Sequence, residues 1–281
     1  MPYASAAVRP PPAKPRLTRV DALPPSRTIL GVRVHAATYT SATRLILNWA
    51  RRGESRMLCA TGAHGVIEAQ DDPDFRHVLN EADLNVPDGM PLVWGLQHLG
   101  VDTAERCYGP DLTLHVCRAA AEAGLPIALY GSSPETLDLL QARLPELAPG
   151  LTIACAISPP FRALSAEEDE AFTRQIVASG ACIVLVGLGC PKQERWCAAH
   201  RGRIPAVMLA VGAAFDFHAG KLAQAPPTMQ RLGLEWAFRL AMEPRRLWKR
   251  YRRVVPRFLV GFARQMRHER QQKRLGIAPA R

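Results

Sequence analysis

The sequence predicts an α/β fold, a Rossmann-like, mostly parallel sheet flanked by helices, with a basic helical C-terminal appendage. Three observations predict it. Strand-length apolar segments alternate with helix-spaced segments from Ile29 to Ala241, joined by short turns rich in Gly and Pro. Ala181–Val186 (ACIVLV) is almost wholly apolar, as a strand covered on both faces of a parallel sheet must be. Polar residues gather just after strand ends, where open α/β sheets collect ligands.

Composition narrows the function. The chain has 281 residues, 48% of them hydrophobic, enough for a real core. Its formal net charge of +11 points to an anionic partner: nucleic acid, a lipid surface or a phosphorylated substrate. Aromatics make up only 6%, which weakens the case for base-stacking platforms. The seven cysteines are scattered without a CxxC pair and fit small buried residues of a reducing compartment. No metal site is expected from them. Met1–Arg27 lacks the apolar core of a secretory leader, and the longest apolar runs, such as Ile204–Phe215, fall short of the roughly 20 residues of a membrane span. A cytosolic protein is expected, one that can lie on a membrane without crossing it.

In chain order, Met1–Arg27 is Pro- and Arg-rich and reads as a disordered arm. Ile29–His35 reads as one short strand. Tyr39–Arg52 has helical spacing, with Gly53 suited to its end. Arg56–Thr61 is a strand that ends in Thr61-Gly62-Ala63-His64-Gly65. There the Thr61 hydroxyl can either meet a ligand or cap the next helix. Val66–Gln70 and Asp74–Asn80 are helical.

Glu81–Pro91 (EADLNVPDGMP) is the stretch around which the rest is organised. Leu84–Val86 runs into Pro87-Asp88-Gly89, and a helix follows from Met90. Asp88 therefore sits at a strand tip between a residue that fixes φ and one that frees it. A carboxylate there is either a turn or cap residue, or a general base in a partly dry cleft. Asp102–Asp111 is a polar connection in which Arg106 can meet a phosphate or stay a surface charge. Leu112–Ala123 is helical and closed by Gly124.

Leu125–Tyr130 is a strand followed by Gly131, Ser132, Ser133 and Pro134. This is good capping chemistry, and also a helix start able to cradle a phosphate. It matches neither a GxGxxG nor a Walker loop. Leu151–Ala156 is a strand, Ile157–Ser165 a loop and Ala166–Ala178 an amphipathic helix. Ala181–Val186 opens into Gly187–Pro191, and then Lys192, Gln193 and Glu194 emerge on a first helical turn. Such polarity beside a buried strand is costly unless it meets something. Ala206–Ala210 leads to Gly212–Phe217, where Asp216 among small residues suggests a tight backbone approach. Lys221–Thr228 is a loop.

From Met229 the character changes. Leu234–Ala241 is helical, and basic residues then crowd, among them Arg239, Arg245, Arg246, Lys249, Arg250 and Arg257. Leu240, Leu247, Tyr251, Val254, Phe258 and Phe262 share one helical face, with Pro244 and Pro256 as expected breaks. The density of positive charge favours an anionic lipid surface for that face over docking on the body. The expected division is 1–27 as the arm, 28–241 as the Rossmann-like domain and 242–281 as the appendage.

With these stretches laid out, the chain resembles the WecG/TagA/CpsF glycosyltransferases over about Ile29 to Arg257. The resemblance is carried by EADLNVPDGMPLVW (Glu81–Trp94), ERCYGPDL (Glu105–Leu112), YGSSPE (Tyr130–Glu135), GLGCPKQE (Gly187–Glu194), GAAFDFHAG (Gly212–Gly220) and GLEWAFRLAMEPRRLWKRY (Gly233–Tyr251). It implies an inverting, metal-independent transferase without a cofactor. The enzyme would move a sugar from a UDP-sugar to an undecaprenyl-diphosphate-linked saccharide, from the cytoplasmic side of the membrane and peripheral to it. It implies Asp88 as base and Thr61 as a second catalytic residue, although Thr61-Gly62-Ala63-His64 lacks the Asn of the pattern T-x-N-x-H. Arg106 matches an arginine near the substrate, and Arg239, Arg246 and Arg250 match arginines that meet the diphosphate. The helix start at Gly131–Ser133, the polar set Lys192–Glu194 and Asp216 complete the expected substrate site. Asp72-Pro73-Asp74 has the D-x-D form that chelates metal in many sugar transferases, but its place before Phe75 reads as a helix start.

Two other classes fit the sequence less well. A Rossmann-type nucleotide-sugar oxidoreductase or epimerase needs a glycine fingerprint after the first strand, and Ile29–Tyr39 offers Gly31 alone. A nucleic-acid-binding protein is disfavoured because the arginines cluster at one amphipathic end. The sugar, the acceptor and the oligomeric state, a homo-oligomer included, stay open.

Overall fold

The computed structural model describes residues 22–274, with the side chains of Pro227, Arg231, Arg246, Lys273 and Arg274 outside the description. The expected arm therefore lies outside the described residues up to residue 21. Its last part does not: Ser26 and Arg27 belong to β1 (Ser26–Ile29), which pairs antiparallel with β2 (Val32–His35). The single strand expected over Ile29–His35 is thus a hairpin. Leu30 and Gly31 both have positive φ, 48° and 79°, and two such residues make the tight turn whose twist matches a hairpin.

The main sheet has six strands, all parallel, as the apolar patterning predicts. They are β3 (Arg56–Thr61), β4 (Leu84–Pro87), β5 (Ile127–Gly131), β6 (Ile153–Ile157), β7 (Ile183–Gly187) and β8 (Val207–Ala210), in the order β4-β3-β8-β7-β5-β6. Alternate strand residues feed two cores. Leu58, Leu129, Leu185 and Leu209 face one layer, and Met57, Tyr130, Val184 and Met208 face the other. Helices α1 (Tyr39–Arg51), α5 (Gly109–Glu122), α6 (Pro134–Leu147) and α9 (Ala214–His218) cover the first face. The second face is covered by α2 (Ala63–Asp71), α3 (Pro73–Glu81), α4 (Met90–His98), α7 (Ala166–Ala178) and α8 (Lys192–His200).

The sequence signals explain the helix starts. Ser165 and Glu168 form a reciprocal capping box at α7, whose bounds match the expected ones. Asp72 caps α3 through the Phe75 N–H and pairs with Arg195, so the D-x-D run is a helix start. Two expectations fell short. The polar connection ends early because α5 begins at Gly109, and the stretch expected as loop and backbone approach contains α9 and α10 (Pro227–Arg231).

The connection from β5 runs outward to β6, while that from β7 runs the other way to β8. Their helices α6 and α8 consequently lie on opposite faces, and the sheet opens at the neighbouring tips of β5 and β7. Gly131 and Gly187 pair there, and a Cβ on Gly131 would sit 2.7 Å from the Gly187 backbone. No side chain fits between the two turns.

The described residues end in α11 (Glu235–Met242) and α12 (Pro244–Arg274). Pro244 opens α12 and Pro256 lies within it without ending it. The apolar face expected to meet lipid is taken up by the body instead: Leu247, Val254 and Phe258 are buried, the latter two in the core under α2 and α4. The physical reason is that an amphipathic stripe beside an uncovered core face finds its partner within the chain. Gln265 completes this docking, accepting from the Leu30 N–H and donating to the Thr28 carbonyl. Among the described residues, no helix is long and apolar enough to cross a membrane.

Candidate active site

Parallel strands place all their carboxyl ends on one rim, and a cavity of about 610 Å³ lies along it. Its wall takes residues from the turns after β3, β4, β5, β7 and β8, and from α9, α11 and α12.

Asp88 follows the last residue of β4. Its N–H donates to the Thr61 carbonyl at 3.0 Å, which ties the tips of β3 and β4 together. Its Oδ1 accepts the Gly109 N–H at 2.7 Å. A Cβ on Gly109 would lie 3.2 Å from that oxygen and 3.3 Å from the Val211 carbonyl oxygen, so glycine permits the approach. Oδ2 lies on the side of Gly62 and accepts no hydrogen bond among the described residues. Burial pushes the Asp88 carboxyl above the usual aspartate range, against the pull of Arg106 and the Gly109 N–H.

Arg106 braces this turn from behind. Its Nε donates to the Asp88 carbonyl at 2.7 Å, its guanidinium stacks 3.9 Å from the Tyr108 ring centre, and it pairs with Glu235 of α11. Arg106 is not in the cavity wall, so it acts on Asp88 and on α11. Thr61 lines the cavity yet donates to Asn85 Oδ1 at 3.4 Å, and Asn85 is itself fully buried with its amide on the Arg33 and Leu79 carbonyls. Thr61 is not a cap: the N-cap of α2 is Gly62, without a side-chain bond.

At β5 the expected capping chemistry is present. Ser133 caps α6 by accepting the Thr136 N–H, and Ser132, at φ 64°, is held through its carbonyl by the Ser158 hydroxyl at 2.7 Å. Ser132, Ser133 and Thr136 all line the cavity. Gly131 does not; it provides the close packing on Gly187.

After β7, α8 begins at Lys192, which is exposed and outside the cavity wall. Gln193 and Glu194 are buried and line it. Gln193 Oε1 accepts the Gly189 N–H at 3.0 Å, and Gln193 Nε2 donates to Glu194 Oε1 at 2.9 Å. Glu194 Oε2 is buried without a hydrogen-bond partner, and burial raises this carboxyl to about 7.

Cations line the same cavity. Arg239 of α11 lies 5.6 Å from the Phe217 ring centre, and its Nε is buried without a partner. Arg250 of α12 also lines the cavity, and Lys221 lines it while pairing with Glu135 at 2.9 Å. Asp216 on α9 lines it too, its carbonyl accepting the Lys221 and Leu222 N–H groups. The side chain of Arg246 lies outside the described residues.

Sequence reasoning missed several members of the site. His64 lines the cavity, kept neutral by burial and by Arg250 and Arg253, which hold its pKa down to about 4. Tyr108 and Phe217 line it as well, and so does Phe161, 86% exposed on the loop after β6. His64, Tyr108 and Phe217 lie inside stretches the sequence singles out, whereas Phe161 sits in a loop that carries no such signal. Glu235 carried none, since its partner is 129 positions away. Among the described residues, no group of three or more His, Cys, Asp or Glu is placed to hold a metal ion.

A strand-tip carboxylate, a cationic wall and a six-stranded parallel sheet are thus built from the stretches the sequence singled out. A model of the glycosyl transferase WecG/TagA/CpsF family matches residues 27–272, and the chain therefore belongs to that family of glycosyltransferases.

Proposed function

We propose that the protein moves a hexose-type sugar from a UDP-sugar, with inversion and without a metal, to an undecaprenyl-diphosphate-linked saccharide. The reaction would serve cell-surface or exopolysaccharide assembly at the inner face of the membrane. The observation that carries this reading is that one cavity is lined by both Asp88 and the cations Arg239, Arg250 and Lys221.

Inverting transfer is one displacement. The acceptor hydroxyl loses its proton to a base as its oxygen bonds the anomeric carbon, and the bond from that carbon to the UDP oxygen breaks. Asp88 Oδ2 takes the proton. Oδ1 is held by the Gly109 N–H, which fixes the carboxylate, and its raised proton affinity makes it a better base than a solvated aspartate. UDP leaves with added negative charge. Arg239 and Arg250 and the start of α6 absorb it as donors fixed in advance, the role a chelated metal has elsewhere. Phe161 offers a flat apolar face to a planar base.

An apolar patch supports a membrane-lying enzyme. Leu232, Trp236, Met242 and Trp248 are exposed around α11, beside Trp94, on which Gly233 packs. Tryptophans next to arginines suit the lipid interface. The patch lies apart from the docked face of α12.

The test is release of UDP from a panel of UDP-sugars with a short-chain diphosphate-lipid acceptor, with and without EDTA. Asp88→Asn is expected to lower turnover by about 10²–10⁴ while leaving UDP affinity near normal. Turnover that survives in this variant removes Asp88 from the role. Loss of activity in EDTA removes metal independence.

A further inference from the structure

We propose that Glu194 is a neutral hydrogen-bond donor in the sugar subsite, presenting Oε2–H to an uncharged oxygen of the transferred sugar, a hydroxyl or an acyl carbonyl. This rests on the UDP-sugar reading above and extends it to a specificity residue.

The hydrogen-bond network fixes where the proton sits. The Gly189 N–H can only donate, so the Gln193 atom facing it is the carbonyl oxygen, at 3.0 Å. The amide NH₂ of Gln193 therefore faces Glu194 Oε1, at 2.9 Å, and Oε1 is an acceptor. Any proton on this carboxyl resides on Oε2, which is buried with no partner of good hydrogen-bond geometry, the Cys190 thiol being the polar group beside the carboxyl. Glu194 as a whole is 3% exposed, yet it belongs to the cavity wall. A buried polar group in a cavity wall with one satisfied oxygen is half of an interaction, and the occupant supplies the other half.

The surroundings favour its neutral form. No cation pairs with it; the groups around it are the thiols of Cys190 on its own turn, Cys197 on α8 and Cys59 on β3. Arg250 of α12 and His64 of α2 line the same cavity, with Arg250 acting on His64 and Cys190, while Glu68 of α2 acts on Cys190 and Arg201 on Cys59. Burial outweighs these and lifts the carboxyl to about 7. A neutral acid donates to a neutral oxygen and does not repel the nearby diphosphate, whereas an ionised one would do the reverse on both counts. Thr61, Gly65, Cys190 and Glu194 line one stretch of the cavity wall. This stretch is thus continuous with the tips of β3 and β4, where the anomeric carbon must sit for Asp88 to act.

The experiment is calorimetric binding of UDP and of a panel of UDP-sugars between pH 6 and 8.5, to the wild type, Glu194→Gln and Glu194→Ala. Gln keeps the shape, the acceptor for Gln193 and a donor at the Oε2 position, with no titration. Wild type is expected to lose about tenfold in affinity for its best UDP-sugar above pH 7, the size of one charge-sensitive hydrogen bond. Glu194→Gln is expected to hold its affinity across the range, and Glu194→Ala to bind that ligand about tenfold more weakly at pH 6. UDP alone follows one pH profile in wild type and Glu194→Gln. The proposal is overturned if Glu194→Gln shows the wild-type pH dependence for UDP-sugar, if Glu194→Ala binds like wild type, or if no sugar adds affinity to UDP. Failure of UDP itself to bind would overturn the UDP-sugar reading instead.

Discussion

The turn after β4 and the turn after β7 each bring one carboxylic acid to the same cavity, and they hold it in opposite ways. Asp88 has a backbone N–H on one oxygen and the Arg106 guanidinium behind it, so ionisation is supported even as burial resists it. Glu194 has neutral partners alone, a backbone N–H, the Gln193 amide and the Cys190 thiol, and together they fall short of its desolvation. One acid is arranged to give up and retake a proton, the other to keep it. The pair shows that chemistry at a rim is set by the partner behind the side chain more than by the side chain itself.

Exchanging the acids for their amides separates the two arrangements. Asp88→Asn is expected to cost about 10²–10⁴ in turnover, while Glu194→Gln stays within a few-fold at pH 6. Comparable losses in steady-state UDP release would break the contrast. The next effect is on folding. Gly187→Ala would place a Cβ 2.6 Å from the Phe215 ring, and denaturant melts should show a loss of about 1–3 kcal/mol. That change strikes the Glu194 turn and spares the Asp88 turn, so base-dependent chemistry should outlast sugar discrimination in the surviving fold.

A third outcome depends on pH. The folded carboxyl of Glu194 sits near 7, above its unfolded value of about 4.5. The native state therefore holds the proton more tightly, and wild-type stability falls as pH rises from about 4.5 to 7 and then levels. Glu194→Gln escapes that fall. Its stability should exceed wild type by something on the order of 2 kcal/mol at pH 8, with the gap closing toward pH 4.5. A pH-independent gap in urea midpoints would show that folding does not raise the Glu194 pKa. The smallest effect is at the surface: Asp71→Asn removes the exposed pairs to Arg253 and Arg257 and should leave the urea midpoint unchanged, because solvent screens them.

The fold was largely legible because its signals are local. Period, apolar runs and caps placed α7, α3 and the strand cores, and the Pro87-Asp88-Gly89 turn marked the rim. What escaped depended on distant partners. Leu30-Gly31 lies inside an apolar run, so its reversal of direction was hidden until β1 and β2 were seen paired. The stripe on α12 was visible, but amphipathicity does not say whether lipid or protein covers it, and here Val254 and Phe258 enter the core. At the site, Asp88 and Glu194 were legible by position. The brace through Arg106, Tyr108 and Glu235 was not, because it joins α11 to a loop more than a hundred positions earlier.

Gln265 has a consequence for synthesis. It holds the outer edge of the first hairpin, through the Leu30 N–H and the Thr28 carbonyl, from 235 positions after Leu30. On a ribosome making the protein from its N-terminus, that edge emerges early and waits unprotected until the last helix clears the exit tunnel.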